Sequence, residues 1–168
     1  EDASRQIRAV LDALRRIDVP VVFTAPNADA GADLVRREIA GFLKVRPQSW
    51  LVENFGALNY LAMLRESAAM VGNSSSGLIE SPAFRIPGVN IGDRQQGRTR
   101  ARNVTDVAAD AEAIFAGLRR ALDPAFRAGL ADMINPYGDG HAAEKIAATL
   151  ASAELDARLL AKRFYDGV

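Results

Sequence analysis

Short apolar runs that alternate with helix-spaced segments constrain this chain most. Val19–Ala25, Trp50–Val52, Ala68–Val71 and Gly88–Gly92 each read as a short buried strand. Ile7, Val10, Leu11, Leu14 and Ile17 precede the first run at helical spacing. Leu34, Val35, Ile39, Phe42 and Leu43 fill the next interval, and Leu58, Leu61, Met63 and Leu64 the one after. A period that switches between strand-like runs and 3.6-residue spacing predicts an α/β fold: a parallel sheet with helices on both faces. A short helix is expected from Gly77 to about Phe84. After Val104–Val107 the pattern becomes helical, with helices expected over Ala111–Leu122 and Pro124–Met133. A last helix is expected from His141 towards Tyr165, after the break at Asn135–Gly140. No repeat or linker divides the 168 residues, so one domain over 1–168 is expected.

Composition removes several classes of function. Lys plus Arg equals Asp plus Glu at 21 each, which argues against coating a nucleic acid, although a local basic pocket remains open. There is no cysteine and a single histidine, His141, so neither a thiolate site nor a multi-histidine metal centre can be built from this chain. No run is long enough to cross a bilayer as a helix and no signal-peptide pattern opens the sequence, so no membrane role is expected and the cytoplasm is the default location.

The polar residues converge on one kind of place. Asn27 and Asp29 follow the first predicted strand, Asn54 and Phe55 the second, Asn73–Ser76 the third, and Asp93 and Arg94 the fourth. Open parallel sheets bind ligands outside the carboxyl ends of their strands. Gly72-Asn73-Ser74-Ser75-Ser76-Gly77-Leu78-Ile79-Glu80 reads as a strand end, a hydroxyl-rich loop and a helix start, a setting that suits a phosphate or diphosphate. Glu80 lies where a carboxylate can accept from a ribose diol, and the planar fork of Arg94 suits phosphate oxygens. The same residues have plainer readings: a capping loop for the serines, a solvated carboxylate for Glu80, a surface ion pair for Arg94. Phe55 and Trp50 also read as core, Asn27 and Asp29 as caps, and His141 and Asp139 as the start of the last helix. Leu155, Leu159, Leu160 and Phe164 read as a packing stripe towards another domain or subunit.

Four segments, in order, resemble the C-terminal half of the hydrolysing UDP-N-acetylglucosamine 2-epimerases: Pro26–Gly31, Gly72–Glu80, Asn90–Arg98 and Tyr137–Gly140. The resemblance covers nearly the whole chain. It implies one Rossmann-like half of a two-domain, glycosyltransferase-B-like fold, with substrate in the cleft between domains. It implies that UDP-GlcNAc and water become N-acetylmannosamine and UDP, by elimination of UDP and hydration of a glycal. By that resemblance Asn73, Ser74, Ser75, Ser76, Gly77, Glu80 and Arg94 bind UDP: Ser74 and Ser75 at the diphosphate, Glu80 at the ribose, Arg94 on the phosphate side. Phe55 would lie against uracil. Asn27 would approach the sugar, and Asn27 and Asp29, from the same motif, are candidate catalytic contributors.

The resemblance further implies that the main acid and base groups lie in an N-terminal domain absent from this sequence. The strand that normally opens this half is absent too, so the chain is expected to be a fragment that is inactive alone. No cofactor is implied, and the partners are a UDP-sugar, the absent domain and further copies in a homo-oligomer. A hydrolysing epimerase acting on a UDP-diacetamido-trideoxyhexose is the nearest alternative, and a non-catalytic UDP-binding module is the next. Ser74–Gly77 and Asp93–Gln96 depart from the patterns of the non-hydrolysing enzymes, and no Gly-x-Gly-x-x-Gly follows a strand to suggest a dinucleotide.

Overall fold

In the computed structural model the described residues are 3–27, 31–157 and 161. The elements run α1 (Ala3–Leu14), β1 (Val21–Thr24), α2 (Ala32–Val45), β2 (Ser49–Val52), α3 (Gly56–Glu66), β3 (Met70–Gly72), α4 (Ser76–Ile79), a 3-10 turn (Ser81–Phe84), β4 (Gly88–Ile91), β5 (Val104–Val107), α5 (Ala111–Leu122), α6 (Pro124–Ala128) and α7 (Ala142–Ser152). The chain forms two compact units, Glu1–Pro136 and Tyr137–Val168.

All strand pairs in the first unit are parallel. β1 pairs with β2, from Val21 opposite Ser49 to Thr24 opposite Val52. β3, β4 and β5 form a second ladder in that order, with Gly72 opposite Asn90 and Ile91 opposite Val107. Among the described residues no strand pairs with the other edge of β1 or of β3.

The two ladders nevertheless share one core. Leu11, Ala13 and Leu14 of α1 pack with Phe42 of α2, Ile114 and Leu118 of α5, Val21 of β1 and Ile91 of β4. Phe23 meets the Phe42 ring edge-on at 5.6 Å between centroids, an arrangement favoured by the ring quadrupoles. Arg46 closes the base of this core. Its guanidinium donates to the carbonyls of Ile17 at 2.8 Å and Val19 at 2.7 Å, and also to that of Leu14.

Several expectations change on contact with the structure. The segment Val104–Val107, given no element from the sequence, is a strand that pairs in parallel with β4, and three of its four residues are β-branched. The helix expected to reach Phe84 is a single α-turn followed by a 3-10 turn. Arg85 ends it with a left-handed φ of 56°, donating its N–H back to Pro82 and Ser81. The helix from Pro124 stops at Ala128, where Gly129 and successive tight turns replace it. Trp50 is half exposed rather than core, because it points off the outer face of β2 while Ser49 points in.

In the second unit α7 begins after His141, whose backbone N–H donates to Asp139 Oδ1 at 3.1 Å. No residue of α7 is buried. Leu155 is exposed, and Leu159, Leu160 and Phe164 lie outside the described residues.

Candidate functional site

The neighbouring strands β3 and β4 run parallel, so the loops at their carboxyl ends emerge side by side. The loop after β3 carries Asn73, Ser74 and Ser75, and the loop after β4 carries Asp93 and Arg94. A hydrogen bond ties them: Gln95 Nε2 donates to the Asn73 carbonyl at 2.8 Å. The loop with Asn73, Ser74 and Ser75, which leads into Ser76, Gly77 and Glu80, is thus tied to the turn that carries Arg94. Asn27 and Phe55 follow the ends of β1 and β2, the other parallel pair. Asn27 is exposed, Phe55 is half-buried at the start of α3, and Asp29 lies outside the described residues.

Local bonding decides what each serine has left to offer. The Ser74 hydroxyl accepts from the Ser76 N–H at 3.3 Å. The Ser76 hydroxyl is hydrogen-bonded to the Tyr60 hydroxyl, which also sits 3.8 Å from Met70 Sδ. The amides of Gly77 and Leu78 already donate to the carbonyls of Ser74 and Ser75, at 3.2 and 2.9 Å. A four-residue helix also has a small dipole, so donors at this end come from the loop ahead of α4 more than from the helix itself. Ser75 follows the loop amides and carries a hydroxyl that is half-buried at the edge.

Glu80 closes α4, donating its N–H to the Ser76 carbonyl at 3.1 Å. Its Oε2 is buried and has no hydrogen-bond partner among the described residues. A buried carboxylate oxygen without a donor is an unfavourable state that a ligand hydroxyl would relieve. Arg94 is exposed on a turn closed by Gln96 N–H donating to the Asp93 carbonyl at 2.7 Å. The arginine–carboxylate pairs of the described residues include Arg36, Arg100 and Arg102 and leave Arg94 out.

Beneath the site, β4 is fixed to β5 by a polar chain. Asn90 Nδ2 donates to Asp106 Oδ1 at 2.7 Å, and Arg100 Nε donates to Asp106 Oδ2 at 2.6 Å. Burial raises the Asp106 pKa, and these two donors more than offset it, so the carboxyl titrates below its usual range. On the other side, Asn103 donates to Ser81 Oγ at 2.8 Å and to the Ile86 carbonyl at 2.6 Å, and Ser81 donates to the Gly77 carbonyl at 2.8 Å. These bonds set the position of α4 against the sheet.

Two open concavities lie elsewhere, one lined by Arg102, Arg120 and Phe126, the other by Arg100, Asp132 and Ile134. Among the described residues no group of three His, Asp or Glu side chains could hold a metal, and no helix is long and apolar enough to cross a membrane. Sequence reasoning quoted Gln95 without a role and missed Tyr60. Gln95 could have been found from its place beside Arg94. Tyr60 carried no local signal, since its contact spans sixteen positions.

Comparison with known proteins gives the family and the fold. The family model described as UDP-N-acetylglucosamine 2-epimerase matches residues 1–151. The Polysialic acid biosynthesis protein P7 of Escherichia coli is 39% identical over 69% of this chain and 29% of its own length. The UDP-N,N'-diacetylbacillosamine 2-epimerase (hydrolyzing) of Legionella pneumophila is 33% identical over 94% of this chain and 40% of its own. Among solved structures, the S. aureus MnaA-UDP co-structure superposes with a TM-score of 0.73 at 19% identity, over 89% of this chain and 41% of that one. The UDP-GlcNAc 2-epimerase of Neisseria meningitidis bound to UDP-GlcNAc gives 0.68 at 20%, over 90% and 41%. The fold is that of one half of these two-domain α/β proteins. This chain belongs to the UDP-N-acetylglucosamine 2-epimerase family.

Proposed function

We propose that this chain is the UDP-binding half of a hydrolysing UDP-sugar 2-epimerase. In the reaction a base takes the sugar C2 proton and the C1–O bond breaks, releasing UDP and leaving a glycal. Water then adds across that double bond and gives the C2-inverted free sugar. The task of this half is to stabilise charge on the departing diphosphate. Preorganised donors do this best, because they need not reorient as charge develops. The amides of Asn73–Ser75 and the hydroxyls of Ser74 and Ser75 are such donors, the exposed guanidinium of Arg94 adds positive charge, Glu80 Oε2 takes a ribose hydroxyl, and Phe55 covers the base. Asn27 and Asp29 contribute near the sugar. The main acid and base groups come from a second domain of a longer, homo-oligomeric protein that works in the cytoplasm.

The observation that carries this reading is the hydrogen bond from Gln95 to the Asn73 carbonyl, which ties the loop that carries Arg94 to the loop that carries the serines. Calorimetric titration of the chain with UDP and with uridine tests it. UDP binding that weakens without the diphosphate is the expected result, and equal binding of both would remove the diphosphate from the site.

UDP-GlcNAc is the proposed substrate. A second reading, UDP-N,N'-diacetylbacillosamine, is favoured by the Legionella relative, whose similarity runs over 94% of the chain. UDP release by the longer protein, measured with each sugar in turn, separates the two.

A further inference from the structure

Gln95 is 3% exposed although it sits in a loop whose neighbours Arg94 and Gln96 are open to solvent. One end of its amide is used, Nε2 to the Asn73 carbonyl. The other end, Oε1, is buried without a hydrogen-bond partner among the described residues. The orientation of the amide is chemically fixed, because turning it over would set Oε1 against a carbonyl oxygen. Burying an amide that is only half satisfied contributes little to stability. What the side chain does provide is a fixed distance between two loops that are 22 residues apart in sequence.

The surroundings make that link consequential. The Gln95 carbonyl accepts from the Arg98 N–H at 3.3 Å, so the residue is held within its own turn. The base of the loop is anchored by Gly92, whose N–H donates to the Val107 carbonyl at 2.9 Å. On the other side Asn73 opens directly into Ser74, whose hydroxyl is already joined to the Ser76 amide. The turn carrying Arg94 is therefore fastened, through one buried amide, to the first residue of the serine loop.

We propose that Gln95 is a positioning residue: a latch that holds Arg94 and the Ser74–Ser75 loop at the separation a diphosphate needs. It touches no substrate atom itself. The proposal rests on the UDP-binding reading above and deepens it. Without the latch, Arg94 and the serines become independent loops that bind a phosphate one at a time, and cooperation between them is lost.

A double-mutant cycle on the chain reads this coupling, with calorimetric titration of UDP as the measurement. The four proteins are wild type, Gln95→Met, Arg94→Ala and the double variant. The expected result is about a tenfold weakening of UDP binding in Gln95→Met, with uridine binding unmoved. In that background Arg94→Ala should cost little more, whereas in wild type it should cost about tenfold or more. Should Gln95→Met fail to fold, Gln95→Asn carries the same comparison, since it keeps a neutral amide and shortens its reach towards the Asn73 carbonyl by one methylene.

If wild type binds UDP and Arg94→Ala weakens it, but the Gln95 change is silent or simply multiplies with the Arg94 change, the latch is overturned and the nucleotide reading stands. If wild type binds no UDP, the nucleotide reading fails and the latch fails with it.

Discussion

Asn103 is fully buried, yet its contribution comes from polarity rather than packing. Its Nδ2 serves both Ser81 Oγ and the Ile86 carbonyl, while its own Oδ1 has no partner among the described residues. Removing the amide leaves a buried carbonyl unserved and a small void, a loss of about 2 kcal/mol or more. Asn103→Ala is therefore expected to lower the urea midpoint of unfolding clearly, and a loss under about 0.5 kcal/mol would contradict the role assigned here.

Asp106 sets a second expectation at this scale. Its carboxyl titrates lower folded than unfolded, so its stabilisation is complete above the unfolded pKa of about 4 and drains away as pH falls through the folded value. Asp132 beside Arg102 and Asp139 beside Lys145 are lowered as well and act in the same direction. Solvent screening keeps each share small. Melting temperature should fall between about pH 5 and pH 2.5, and Asp106→Asn should flatten that fall. Of these residues only Asp139 was read from the sequence as a helix cap. Side-chain bonds between distant positions, such as Asn103 with Ser81 or Tyr60 with Ser76, leave no periodic trace, whereas Glu80 and Arg94 stood out because strand ends precede them.

At the scale of elements, strands with apolar runs were readable and element ends were not. β5 was hidden because its Thr105 and Asp106 interrupt the apolar signal, and Asp106 is satisfied by residues on other segments. The early stop of α4 depends on Arg85 taking a left-handed turn, which no propensity foretells. A close joint between elements is at Gly88. A methyl group there would stand 2.8 Å from the Gly77 carbonyl oxygen and 3.6 Å from Ser81 Oγ. Because the obstacle is backbone, α4 itself must retreat, and the serine loop goes with it. Gly88→Ala should cost about 1–3 kcal/mol in thermal unfolding. It should also weaken UDP binding, and an unchanged melting curve would show that α4 yields freely.

At the scale of the whole molecule, binding and turnover should separate. The chain spans 40% of the Legionella relative and 41% of the Neisseria structure, and the acid and base groups are proposed to lie in the remainder. The chain alone is then expected to bind UDP and to release none from UDP-GlcNAc. In the longer protein Arg94→Ala should reduce kcat by about 10²–10³-fold, the usual loss when one preorganised donor to a developing anion is removed. The KM for the UDP-sugar should rise far less, because the charge that Arg94 meets grows as the C1–O bond breaks. A coupled assay for released UDP measures both constants. A change confined to KM would make Arg94 a ground-state contact and move leaving-group stabilisation onto the serine loop.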